Sequence, residues 1–267
     1  MRVLLLLLAP AAFAQVTDPK ELIRAAFSRG EDVFDSLRNY TYLRDREVRQ
    51  LDSAGGVKDT ESTVHEVLIL SGEPYFRLVE KDGRKLMEKE AAKEQSKMDK
   101  EAAKRSKRKG SEEEKQRAER RRALREITEA FTWKMAGADT VSGIPVWAID
   151  AHPNPAFRPQ SREAKIFQKM SGRLWISQKD PQLAKIEAQV DDTISFGFFL
   201  IRLQPGFRFT FEQAWVNGEV WLPAKAHVKG NAKIGGLKTV RFEMETRYRD
   251  YRKFQSDSRI VAGGETK

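Results

Sequence analysis

Residues 207–229 read FRFTFEQAWVNGEVWLPAKAHVK. Phe207, Phe209 and Phe211 alternate with Arg208, Thr210 and Glu212, so an extended chain here has one aromatic face and one polar face. A period of two with this contrast marks a strand covered on one side and wet on the other. Asn217-Gly218 then supplies two residues that accept positive φ, the usual signal for a tight hairpin. Trp221 to Lys229 returns as the second strand. Beyond it, in the segment Leu237 to Arg249, Val240, Phe242, Met244 and Tyr248 oppose Arg241, Glu243, Glu245, Arg247 and Arg249. Three long segments in succession thus specify an antiparallel sheet with one buried face.

Outward from this core, eight more segments carry β-branched or aromatic residues between Gly, Pro and Asn turns. They are Tyr40 to Val48, Val64 to Leu70, Tyr75 to Val79, Phe131 to Met135, Val146 to Ala151, Arg173 to Ser177, Lys185 to Asp191 and Phe196 to Arg202. Asp18, Pro19 and Glu21 form a helix start, with Leu22, Ile23, Ala26 and Phe27 on one face and Gly30 as the stop. Val33, Phe34 and Leu37 suggest a second short helix. About eleven strands with helices at the start and middle make the fold α+β: a curved antiparallel sheet with helices on its concave face.

The strands are interrupted at 84–127. This insertion is rich in Ala, Glu, Lys and Gln, with Gly110 dividing it into two helices, the second opened by Ser111 and Glu114. Met87, Ala91, Met98 and Ala102 in the first helix and Leu124 and Ile127 in the second are sparse apolar residues. The pattern predicts a charged, largely solvated helical arm able to project from the body.

The charge follows the same division. The chain has 267 residues and a net charge of +10, but residues 81–126 alone hold 18 Lys/Arg against 11 Asp/Glu and no Phe, Tyr or Trp. The remainder is nearly balanced and carries all 15 Phe, 5 Tyr and 5 Trp, which excludes wholesale disorder. With no cysteine, disulfides, thiol catalysis, Cys-bound zinc and iron–sulfur clusters are excluded. Met1-Arg2, the apolar run from Val3 and the small-x-small site Ala12-Phe13-Ala14 read as a signal peptide over 1–14. The apolar run falls short of the about 20 residues a bilayer span requires. The expected mature protein is therefore periplasmic and soluble, one domain over 15–260 followed by a disordered tail at 261–267.

Four stretches resemble the LolA/LolB-like family of bacterial outer-membrane lipoprotein-sorting proteins. They are Asn39-Tyr40-Thr41-Tyr42, Leu70-Ser71-Gly72-Glu73-Pro74-Tyr75, Ser171-Gly172-Arg173-Leu174-Trp175-Ile176-Ser177 with Asp180 and Lys185-Ile186-Glu187, and Gly218-Glu219-Val220-Trp221-Leu222-Pro223. The resemblance covers roughly 20–80 and 130–255; Ser177 stands where the family often has Asp, and the 84–127 insertion is not part of its pattern. It implies an incomplete β-barrel closed by helices over an apolar cavity, and a carrier of lipoprotein or lipid acyl chains that needs no cofactor.

From the residues themselves, Phe207, Phe209, Phe211, Val240, Phe242 and Met244 are the candidates to line such a cavity, since each buried methylene of a guest contributes about 0.8 kcal/mol. The same side chains serve equally well as ordinary core against the helices, and both readings stand at this level. Lys104, Arg105, Lys107, Arg108 and Lys109 concentrate charge in the insertion. They suit a solvated helix pair, or docking to an anionic membrane surface or an acidic protein partner. Nucleic acid is disfavoured, because no aromatics are interleaved with them. Chemistry is sparse. His65, His152 and His227 have no metal-ligand spacing, Asp191-Asp192 sits at a turn, and no nucleophile-elbow or phosphate-loop motif occurs. No catalytic residue and no metal ligand is assigned; a hydrolase reading would have to rest on His152 or Asp191.

Overall fold

The computed structural model describes residues 18–106, 111–161, 163–196, 200–235 and 238–253. The expected signal segment 1–14 and tail 261–267 lie outside them. A single antiparallel sheet dominates, built from β1 (Tyr40–Leu51), β2 (Val57–Leu70), β3 (Glu73–Lys81), β4 (Arg84–Lys85), β5 (Phe131–Val141), β6 (Ile144–Pro153), β7 (Met170–Ser177), β8 (Leu183–Val190), β9 (Ile194–Phe196), β10 (Ile201–Leu203), β11 (Arg208–Val216), β12 (Val220–Ile234) and β13 (Lys238–Lys253). The order across it is β4-β3-β2-β1-β13-β12-β11-β8-β7-β6-β5, with β9 and β10 forming a spur on β12. The first long strand pairs with the last, and the two outermost strands, β4 and β5, do not meet. The sheet is thus a curved half-barrel, in keeping with the α+β expectation.

Three helices accompany it: α1 (Pro19–Leu37), α2 (Glu88–Arg105) and α3 (Ser111–Ala130), with a 3-10 helix at Glu163–Lys169. α1 starts as read, its Asp18 carboxylate accepting from Lys20 N–H at 3.0 Å with Pro19 in the first turn. It does not stop at Gly30. Ile23 and Ala26 are buried, and Leu37 packs on Tyr40 and Tyr42, so apolar contacts hold the helix on both sides of Gly30. That burial outweighs the about 1 kcal/mol that an internal Gly costs.

Other differences have equally local causes. β1 and β2 form a hairpin that runs past the apolar residues, and its turn is fixed by Asp52, whose carboxylate accepts from Ala54 N–H at 2.8 Å and Gly56 N–H at 2.9 Å. The polar run 57–63 shows no alternation and was silent in the sequence. Phe196 to Arg202, read as one strand, is divided between β9 and β10, which pair with each other; residues 197–199 lie outside the described set. Thirteen strands therefore replace about eleven among the described residues.

The insertion differs most. α2 has no buried residue, as expected of a charged helix, but it lies along β3 rather than projecting. Glu90, Glu94, Met98, Glu101 and Arg105 form its inward stripe. Arg105 donates from Nη1 to the Glu73 and Pro74 carbonyls at 3.1 and 3.2 Å and from Nε to Glu101 at 2.9 Å. β4 pairs only with the far end of β3, so α2 covers the rest of an edge that would otherwise offer unpaired backbone groups. α3 packs on α1, β5 and the 3-10 helix. Its C-terminus is held by Asn154, whose backbone N–H and Nδ2 donate to the Ala130 and Glu129 carbonyls at 2.9 and 3.0 Å.

Candidate functional site

Pairing register fixes which side chains share a face, because directly opposed residues in a sheet point the same way. One row runs Met135, Ile149, Leu174, Ile186, Phe211, Ala226 from β5 through β12. The neighbouring row runs Ala151, Gly172, Ala188, Phe209, Val228. α1 seats Ile23 and Ala26 on Ile149, Ala151, Leu174 and Ile176, all buried. Where α1 and α3 diverge from the sheet, they leave a cavity of about 730 Å³.

Its floor is Leu174, Ile186, Ala188, Phe209 and Phe211; its walls and roof include Phe27, Leu124, Ile127, Phe131, Trp133 and Phe167. Nearly all of this lining is apolar. A cleft of about 480 Å³ adjoins it between α1 and α3, sharing Phe27 and Leu124 and bordered by Arg24, Arg125 and Glu129. The rim is tied across the two helices: Lys20 pairs with Glu129 at 2.8 Å and Arg24 reaches the same carboxylate at 4.0 Å. α3 is further bonded to the following loop, with Ser161 Oγ donating to Glu126 at 2.9 Å. The exposed Lys20 and Arg24 links are individually weak, so α3 roofs the cavity as a lid, one anchored at its C-terminal end by the buried Thr128 and Ala130.

Ser171, Gln182, Glu187 and Gln213 are the polar members of the lining, and Gln213 stands apart among them. It is 7% exposed, and its Oε1 is buried without a hydrogen-bond partner among the described residues. An acceptor left unmet in an apolar wall costs about 1–3 kcal/mol, and it offers a guest one fixed polar contact.

Of the six sequence candidates for the cavity, Phe209 and Phe211 line it. Phe207 and Phe242 instead pack edge to face, with centroids 5.9 Å apart. They meet over Gly230, where a Cβ would fall 2.6 Å from the Phe207 ring, so only glycine fits between them. Met244 accepts from Arg46 Nε at 3.0 Å, and neither it nor Val240 is in the lining. All six share one face, but the helices cover only part of it, and alternation carries no information about where a helix lands. The residues missed, Leu124 and Ile127 among them, sat in a helix whose sparse apolar content looked incidental.

Of the basic candidates, Lys104 is exposed and Arg105 is engaged against β3. Lys107, Arg108 and Lys109 lie outside the described residues. His227 is bonded to Glu243 at 2.8 Å, and Asp191 and Asp192 are met by Gln189 and Lys169. No cluster of three or more metal-ligating side chains occurs among the described residues, and none of their helices is long and apolar enough to cross a membrane.

No family model and no curated protein matches the chain. Solved structures do. A putative outer membrane lipoprotein-sorting protein domain from Vibrio parahaemolyticus is 8% identical with a TM-score of 0.40, covering 91% of this chain and 96% of that one. A DUF1329 family protein from Desulfovibrio piger is 10% identical with a TM-score of 0.34, over 91% and 96% of the two chains. A LolA superfamily protein from Nitrosomonas europaea is 7% identical with a TM-score of 0.33, over 90% and 95%. Two of these three structures are described by the lipoprotein-sorting or LolA name.

Proposed function

We propose that this chain is a periplasmic binding or carrier protein for the acyl chain of a lipid or lipoprotein. The observation that carries the proposal is the apolar cavity of about 730 Å³ between the sheet and the α1–α3 lid. Its size lies within the ~300–1,000 Å³ of ordinary ligand sites. Its lining offers dispersion contacts and a single unmet acceptor, which suits a long hydrocarbon better than a polar metabolite. Twelve buried methylenes would gain roughly 10 kcal/mol gross, part of which is offset by the ordering of chain and lid. No group in the lining is arranged to activate a nucleophile, so the reading is retention and release, without chemistry on the guest.

The test is direct. Protein purified from its native compartment is extracted into organic solvent for mass spectrometry, and the emptied protein is titrated with a fluorescent fatty-acid probe. Saturable binding that falls at least tenfold on replacing Ala188 with Trp, with the urea midpoint held, is the expected result. No extracted lipid together with no probe binding would sink it. Docking through the basic run is the weaker reading, because Arg105 is already committed to the β3 edge.

A further inference from the structure

The register that builds the cavity floor continues beyond it. Ala226 on β12 opposes Thr246 on β13, Thr246 opposes Arg46 on β1, and Arg46 opposes Thr63 on β2. Arg46 therefore stands on the same face as Phe211, three strand spacings or about 14 Å away. Arg44 is two residues along on that face, opposite His65 on one side and Tyr248 on the other. α1 ends near here, with Leu37 on the Tyr40–Tyr42 cluster, and α3 packs elsewhere.

These two arginines differ from the ion-paired arginines of the outer face. Arg49, Arg77, Arg173 and Arg249 each hold a carboxylate on the opposite face: Glu47, Glu66, Asp150 and Asp45. Among the described residues Arg44 and Arg46 hold none. Arg44 is half-buried, lies 4.1 Å over the Phe76 ring, and its Nε is buried without a hydrogen-bond partner. Arg46 reaches only the Met244 sulfur. His65 Nδ1 is also buried and unmet. Burial, and then Arg46, holds the Arg44 guanidinium below the usual arginine range, and burial with Arg44 and Arg46 depresses His65. The acid that acts on His65, Glu94 of α2, is itself paired with Lys97. Arg46 is exposed and Arg44 half-buried; a half-buried cation without counter-charge, with a second cation beside it, is a costly arrangement unless an anion completes it.

We infer that Arg44 and Arg46, with His65 beside them, form the anion-binding end of the same site: they receive the carboxylate or phosphate of an amphiphile whose hydrocarbon lies in the cavity. The inference rests on the acyl-chain reading and adds a headgroup class to it. Guanidinium planes suit such oxyanions by forked hydrogen bonding.

The experiment compares a fluorescent fatty acid with its methyl ester, which has the same chain and no charge. The acid should bind wild-type protein at least about tenfold more tightly, a difference of about 1.4 kcal/mol. Arg44→Gln with Arg46→Gln should erase that preference while leaving ester affinity within about twofold. Arg44→Lys with Arg46→Lys should retain part of it, and Arg49→Gln, on the outer face, should change nothing. Should the double glutamine variant fold poorly, Arg46→Gln alone, read as the acid-to-ester ratio, decides the matter. Equal binding of acid and ester by wild type overturns the headgroup site and leaves the carrier reading standing. Failure of both probes overturns both. Inorganic phosphate is the third arm: if it raises the melting temperature through these arginines while the acid shows no preference over the ester, the site serves a free anion and the headgroup proposal is lost.

Discussion

One face of one sheet is used in two ways. From β5 to β11 it carries Met135, Ile149, Leu174, Ile186 and Phe211 beneath helices; from β13 to β2 the same row carries Thr246, Arg46 and Thr63, beyond the cavity that α1 and α3 roof, and Arg46 there is exposed. The backbone is equally regular in both halves. What differs is the cover, and cover decides composition: under a helix, a polar side chain pays desolvation with nothing in return, while beyond it an arginine keeps partial hydration and a ring to stack on. The division places an apolar container and a cationic rim within one rigid element, so their separation does not depend on loop geometry.

The contrast can be broken or sharpened by substitution. The largest effect should come from the covered half: Ile149→Ala, at a fully buried position facing α1, should cost about 3 kcal/mol in urea unfolding. Val48→Ala, on the half of the same face beyond the cavity, should cost less than about 1 kcal/mol. Equal losses would mean that the two halves are packed alike. Next, Arg105→Ala removes two hydrogen bonds to β3 carbonyls and ion pairs with Glu101 and Glu73 from a mostly buried side chain. It should cost about 1–2 kcal/mol and speed amide exchange in β3 ahead of β7; unchanged exchange would return the insertion to the role of a free arm.

Gln213→Leu should stabilise the empty protein by about 1 kcal/mol, since it deletes an unmet buried acceptor. If it instead destabilises, the amide has a partner that the cavity geometry does not reveal. The smallest effect concerns pH. The folded protein binds a proton at His65 less readily than the unfolded chain does, through burial and the Arg44 and Arg46 charges, opposed by Glu94. The unfolded state therefore takes up the proton first as pH falls below about 6.5, and stability declines over that window. His65→Phe should flatten the decline that sets in as pH falls below about 6.5; a steeper slope in the variant would reverse the assigned direction.

Much of the sheet was legible because its signals are local. Phe207-Arg208-Phe209-Thr210 shows its period within four residues, and Asn217-Gly218 names its own turn, with Asn217 at φ +52° and Gly218 at φ +71°. The hairpin ends at 57–63 and the spur at β9–β10 were not legible, because polar or short strands owe their conformation to a neighbour rather than to their own pattern. The cavity was half legible. Phe209 and Phe211 could be put on the right face, yet their difference from Phe207 depends on Gly230 across the pair and on where α3 comes to rest. Arg44 and Arg46 looked like ordinary members of a charged strand, since the absence of counter-charge is a property of three strands together.

The pairing of β1 with β13 has a consequence of timing. Asp45 and Arg249, bonded across this seam, are 204 residues apart in the chain. Neither half of the sheet is joined to the other until the last strand is available, so the hairpins on each side must wait as separate edges. Contacts of such long sequence separation close slowly. A chain shortened before β13 would hold a container and a rim that never become one object.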